Sequence, residues 1–119
     1  CKDLKFAVEA GSAGRDQAVE HNFTYTEVDV QSKALVEVAA GTSDAAIIDA
    51  LMAGAMIGEG TSYADLKGTV ILNAEEYGVG FRKGSNLVAE LNAFFDECAE
   101  NGKIDEIAKE YGVQEAVIK

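Results

Sequence analysis

The sequence predicts an α/β fold: a three-layer α/β/α sandwich with a mostly parallel five-stranded sheet, followed by two C-terminal helices. Three observations lead there. Short apolar or β-branched runs alternate with helical patterns in the order βαβαβαβ, which favours parallel strands and right-handed crossovers. Two runs pass directly into helix starts: Phe6-Ala7-Val8 into Gly11-Ser12-Ala13-Gly14, and Ala45-Ala46-Ile47-Ile48 into Asp49. Proline is absent, so the joins rest on glycine and short polar residues.

Lys5–Glu9 reads as a short buried strand, and Ser12 caps a helix running to about His21. Thr24–Val28 alternates and is rich in β-branched and aromatic residues, which predicts a second strand. Gln31–Ala40 places Leu35, Val38 and Ala39 on one helical face, closed by Gly41. Ala45–Asp49 is an apolar strand. Ala50–Ile57 follows as a helix with Leu51, Met56 and Ile57 toward the core, stopped by Gly58 and Gly60. Ser62–Asp65 reads as a single helical turn, Thr69–Asn73 as a fourth strand and Tyr77–Arg82 as a fifth. Leu87, Leu91, Phe94, Phe95 and Cys98 then form a helical stripe, broken at Asn101-Gly102. Ile104, Ile107, Ala108 and Tyr111 begin a second stripe before Gly112.

At 119 residues the chain has the length of one domain and can bury roughly two-thirds of its unfolded surface. Twenty-one acidic residues against ten basic give a net charge of -11. No Lys/Arg cluster exists to hold a nucleic-acid backbone or an anionic membrane. No apolar run reaches the length of a membrane span. Cys1 and Cys98 are too few and too far apart for a metal or redox motif, and Cys98 reads as a buried, inert thiol. The chain lacks an initiator Met and a signal-peptide pattern, which reads as a processed product or a piece of a longer chain. Cys1 reads as an arbitrary chain start, with a lipid-modified N-terminal cysteine as the alternative.

In an open α/β sheet, ligands sit at the carboxyl ends of strands, where a helix N-terminus offers N–H groups to an anion. Gly11, Ser12 and Ala13 are such an end, although Ser12 also serves its own helix as a cap. Asp49 offers the opposite charge to a cation and is also a favoured N-cap. One anion site beside one cation site suits a zwitterion, and so a free amino acid. Glu9 reads as a solvated strand-end charge, Ile48 as core, and the lone His21 as a cation relieving the end of its helix. The Gly11–Gly14 segment is too short for a dinucleotide fingerprint and lacks a phosphate-loop lysine. The acidic C-terminal stretch from Glu90 reads as a solvated helix face.

These segments, in this order, resemble the polar amino-acid class (family 3) of extracellular or periplasmic solute-binding proteins of ABC importers. The marks are Val8-Glu9-Ala10-Gly11-Ser12-Ala13-Gly14, then Ala39-Ala40-Gly41-Thr42-Ser43-Asp44-Ala45-Ala46-Ile47-Ile48-Asp49. Glu76-Tyr77-Gly78-Val79-Gly80-Phe81-Arg82-Lys83-Gly84-Ser85 and Asn101-Gly102-Lys103-Ile104-Asp105-Glu106-Ile107 follow. The resemblance implies a periplasmic-binding-protein fold of two lobes hinged around a ligand. Residues 1–76 would be the second lobe, 77–84 the returning hinge strand and 85–119 the C-terminal helices. The first lobe would precede Leu4, and Glu76 stands where the family usually has proline.

The resemblance further implies Gly11, Ser12, Ala13 and Asp49 as ligand-binding residues, with Glu9 near the ligand's distal group. It implies no catalytic residue, no cofactor and no metal, so a binding protein and not an enzyme. An ABC permease would be the partner of the parent protein, on the extracellular or periplasmic side, associated with the cell surface. Lacking a first lobe, the C-terminal helices would leave their stripe uncovered and favour a homodimer, swapped or face to face. Two other classes share the fold: ligand-sensing domains of membrane receptors or regulators, and dehydratase-like enzymes, for which Glu9 with Asp49 is the only candidate acid/base pair.

Overall fold

The computed structural model describes residues 2–118. Cys1, the alternative lipid site, lies outside the described residues. The chain divides into two compact units, one ending at Ala74 and one beginning at Glu75.

The first unit is built on three parallel strands, β1 (Lys5–Glu9), β2 (Thr24–Val28) and β3 (Ala45–Ile47), in the order β2-β1-β3. Lys5 pairs with Thr24 and Glu9 with Val28 on one side of β1. On its other side Phe6 pairs with Ala45 and Val8 with Ile47. The start of β3 is pinned twice, because the Asp44 N–H donates to the Lys5 carbonyl and the Lys5 N–H to the Asp44 carboxylate, both at 2.8 Å.

Three helices belong to this unit: α1 (Ala13–Glu20), α2 (Gln31–Ala39) and α3 (Ala50–Met56). The chain steps from β1 to β2 in one direction, then back past β1 to β3. Right-handed crossovers in opposite directions put α1 and α2 on opposite faces of the sheet. Burial along β1 agrees: Phe6, Ala7 and Val8 point alternately to the two faces and all three are buried. Ala18 from α1 and Ala34 and Leu35 from α2 complete the buried apolar set of this unit. Small side chains let helix and sheet approach closely, and most of the gain from burial comes from Phe6, Val8 and Leu35.

The second unit contains α4 (Leu87–Glu100), α5 (Lys103–Glu110) and a 3-10 turn, Gln114–Ala116. Gly102, at φ +77°, makes the turn between the two helices in a conformation that favours glycine. Ala108 is the buried apolar residue of this unit, with Leu91, Cys98 and Ile104 half-buried.

The α/β class, the parallel sheet and the two C-terminal helices follow the sequence expectation, but the sheet has three strands and not five. Thr69–Asn73 and Tyr77–Arg82 form no strand. Val70, Ile71, Tyr77 and Val79 stand in solvent, with Ile71 84% and Tyr77 76% exposed. β-propensity measures fit to a half-buried pleated surface, and without a neighbouring strand it has nothing to act on. Smaller corrections accompany it. Leu51 lies on the outside of α3, which buries no residue, and β3 ends at Ile47 before the expected Asp49. Ser62–Asp65 forms a hydrogen-bonded turn, with the Leu66 N–H donating to the Tyr63 carbonyl, and not a helical turn. Cys98 is half-buried where full burial was expected.

Candidate functional site at the carboxyl ends of β1 and β3

The reversal of direction between β1 and β3 makes their carboxyl ends the switch point of the sheet, the place where open α/β folds hold ligands. Three chain segments converge on this edge: the β1–α1 turn, the start of α2 and the β3–α3 junction.

The β1–α1 turn is closed by Ser12. Its N–H and its hydroxyl both donate to the Glu9 carbonyl, at 3.2 and 2.7 Å. The same hydroxyl accepts from the Arg15 N–H at 3.1 Å, so Ser12 is the N-cap of α1. Gly11 at φ +70° permits this tight geometry. The Ser12 hydroxyl proton is thus committed within the chain. That leaves no Ser12 donor for a ligand, and the donors that remain at this end are the Ala13 and Gly14 N–H groups of the first turn.

The first turn of α1 packs on the last residue of β3. A Cβ built on Gly14 would lie 2.7 Å from the Ile47 carbonyl oxygen and 3.3 Å from the Ile47 side chain. Only a glycine lets the helix end come this near the strand end. Asp49 stands two residues beyond Ile47. Its carboxylate accepts from the Met52 N–H at 2.8 Å and caps α3, and the residue is half-buried. Its own N–H donates at 2.9 Å to the side-chain carbonyl of Gln31, the first residue of α2.

Glu9 is the last residue of β1, half-buried, and contributes its carbonyl to the Ser12 turn. Ile48, half-buried, lies just past the end of β3. The structure therefore brings Gly11, Ser12, Ala13, Glu9 and Asp49 to one edge of the sheet. His21 is elsewhere, at the C-cap of α1, with its ring 5.4 Å from Phe23; Phe23 in turn stacks on Phe6 at 4.5 Å.

Two residues escaped the sequence reading. Gln31 was placed at a helix start with no role, although a polar residue just past β2, beside a neighbouring strand end, was a usable signal. Gly14 was part of a motif, but the close approach that requires glycine there needs the fold. Two ion pairs flank this part of the sheet. Arg15 bonds Glu27 at 2.8 Å, which raises the guanidinium pKa above its ordinary value, and Lys33 bonds Asp29 at 2.7 Å across one turn. That second bond lowers the Asp29 pKa below the ordinary carboxylate value. Among the described residues no group of His, Cys, Asp and Glu is arranged to hold a metal, and no helix is long and apolar enough to cross a membrane.

No family model, curated protein or solved structure matches the chain.

Proposed function

We propose that residues 2–74 form one wall of a site for a free amino acid, as in the ligand-binding lobe of an extracellular solute-binding protein that serves an ABC importer. The observation that carries this reading is the packing of the α1 N-terminus onto β3, Gly14 against Ile47, next to Asp49. It brings the α1 amides to the end of β3, two residues before Asp49, which supports a helix end and a carboxylate serving one ligand. An α-carboxylate meets the Ala13 and Gly14 N–H groups and the positive end of the helix dipole. An α-ammonium meets Asp49, which keeps one carboxylate oxygen on the Met52 N–H. Glu9 borders the same edge, where a ligand's distal group would reach. The role is binding and release with no bond made or broken.

One wall holds a small molecule weakly. Sites of high affinity enclose about 70–90% of a ligand's surface, whereas an open edge leaves each ion pair in water at about 0–1 kcal/mol. Affinity for this chain is therefore about millimolar or weaker. Titration with glycine, glutamine, lysine and glutamate, followed by amide NMR shifts, tests the reading. Saturable shifts centred on Ala13, Gly14 and Asp49, seen with the zwitterions and not with acetate or methylammonium alone, support it. Shifts scattered elsewhere, or none, overturn it.

A further inference from the structure

The longest helix of the chain buries none of its residues. α4 carries Leu87, Leu91, Phe94, Phe95 and Cys98 at spacings that line one face, and Val88 extends it. Half-burial at Leu91 and Cys98 leaves the rest of that face in solvent, with Phe94 57% and Phe95 45% exposed. From Leu87 to Phe95 the face runs about 12 Å, two turns of helix. Glu90 and Glu97 follow its Phe94 border. Over α4 and α5 together, seven acidic residues stand against Lys103 and Lys109. Lys103 already pairs with Glu106, while Asp96 and Glu97 have no cation partner among the described residues.

We infer that this face of α4 is a docking surface for a basic amphipathic helix. Charge chooses that occupant over a second copy of the chain. The exposed parts of Leu87, Val88, Phe94 and Phe95 amount to roughly 400 Å² of apolar surface, in the range that marks interaction sites. A second copy brings another acidic rim against the first, whereas a partner with Leu on one face and Lys or Arg beside it meets Phe94 and Phe95 with its apolar residues and Glu90 and Glu97 with its cations. The two phenylalanines are the anchors, because large rings desolvated at the centre of a contact carry most of its energy. This inference stands apart from the ligand site and does not depend on it.

The test uses the full chain and a labelled synthetic helix of leucine and lysine with i, i+3, i+4, i+7 spacing, beside a version in which every lysine is glutamate. Fluorescence anisotropy should show the basic peptide binding and the acidic one not. Phe94→Ser with Phe95→Ser should weaken binding about tenfold or more, with far-UV circular dichroism unchanged. Glu90→Lys with Glu97→Lys keeps the apolar face, and should reverse the preference toward the acidic peptide; it serves if the serine variant fails to fold. Absence of binding overturns the inference. So does binding unaffected by either double variant, which would be attraction to net charge alone. Light scattering that shows a dimer abolished by Phe94→Ser and Phe95→Ser would make a second copy the occupant, and would overturn it also.

Discussion

Gly14 and Ile47 meet where helix α1 begins and strand β3 ends, with room for a hydrogen at Gly14 and not for a methyl group. The nearest atom to a Cβ at Gly14 is a backbone oxygen at 2.7 Å, which cannot swing away as a side chain would. Gly14→Ala therefore sets a helix-propensity gain of about 1 kcal/mol against a backbone clash. The clash should win, for a net loss of about 1–2 kcal/mol. Urea unfolding of the two proteins measures it, and a more stable alanine variant would show that α1 can shift off β3 at little cost.

Asp49 has two roles that separate on substitution. Asn caps a helix as well as Asp, so Asp49→Asn should change stability by less than about 0.5 kcal/mol. Asp49→Ala removes the acceptor for the Met52 N–H and should cost about 1 kcal/mol. Under the proposed function both variants lose the amino-acid-induced NMR shifts at Ala13 and Gly14. An Asn variant that kept them would place the ammonium elsewhere.

Gln31 links the start of α2 to the start of α3 through the Asp49 N–H. Gln31→Leu leaves that donor without its acceptor and should cost about 1 kcal/mol. Hydrogen exchange at the Asp49 amide should quicken more than at Ala53, whose N–H bonds the Asp49 carbonyl inside the same helix start. Equal acceleration at both would mean that α3 loosens as a whole.

The alternation of strands and helices through Asp49 was legible because local signals and tertiary environment agree there. Ser12 caps, Gly41 turns at φ +78°, and β1 is apolar because both its faces are covered. The stripe of α4 and the break at Asn101-Gly102 were legible from helical spacing and the glycine alone, since α4 buries none of its residues. Thr69–Asn73 misled because a strand is defined by its neighbour, and no residue within the segment reports whether one is there. At the site, residue types and strand ends were readable in advance. The commitment of the Ser12 hydroxyl to Glu9, and the bond from Asp49 to Gln31, were not: each depends on where one atom points across a turn or between two strands.

The ion pair between Lys33 and Asp29 gives a pH signature of defined sign. Its ammonium lowers the Asp29 pKa in the folded chain, so the pair stabilises the fold above the ordinary Asp value, about 3.9. That contribution is lost as pH falls through the lowered folded-state value. Lys33→Gln should return the Asp29 carboxyl toward its ordinary range in a carbon-13 NMR titration. The stability difference between the two proteins should vanish in acid. A difference that persisted below the folded-state value would belong to helix propensity and not to the pair.

Ser43 is buried, and its hydroxyl has no hydrogen-bond partner among the described residues. An unmatched buried hydroxyl costs stability that a methyl group does not. Ser43→Ala should raise stability by up to about 1 kcal/mol, read as a higher midpoint with an unchanged slope in urea. A loss would reveal a bond to a bound water molecule.

The alanine-rich interior described for the first unit has a calorimetric consequence. Unfolding heat capacity scales with apolar surface newly wetted, and ordinary domains show about 12–15 cal/mol/K per residue. Ala7, Ala18 and Ala34 give up little such surface, and the exposed stretch around Val70 and Ile71 gives up almost none. The stability curve of this chain should accordingly be flatter than that of an ordinary domain. A chain of equal length with a leucine-rich interior should lose stability more steeply on either side of its optimum temperature.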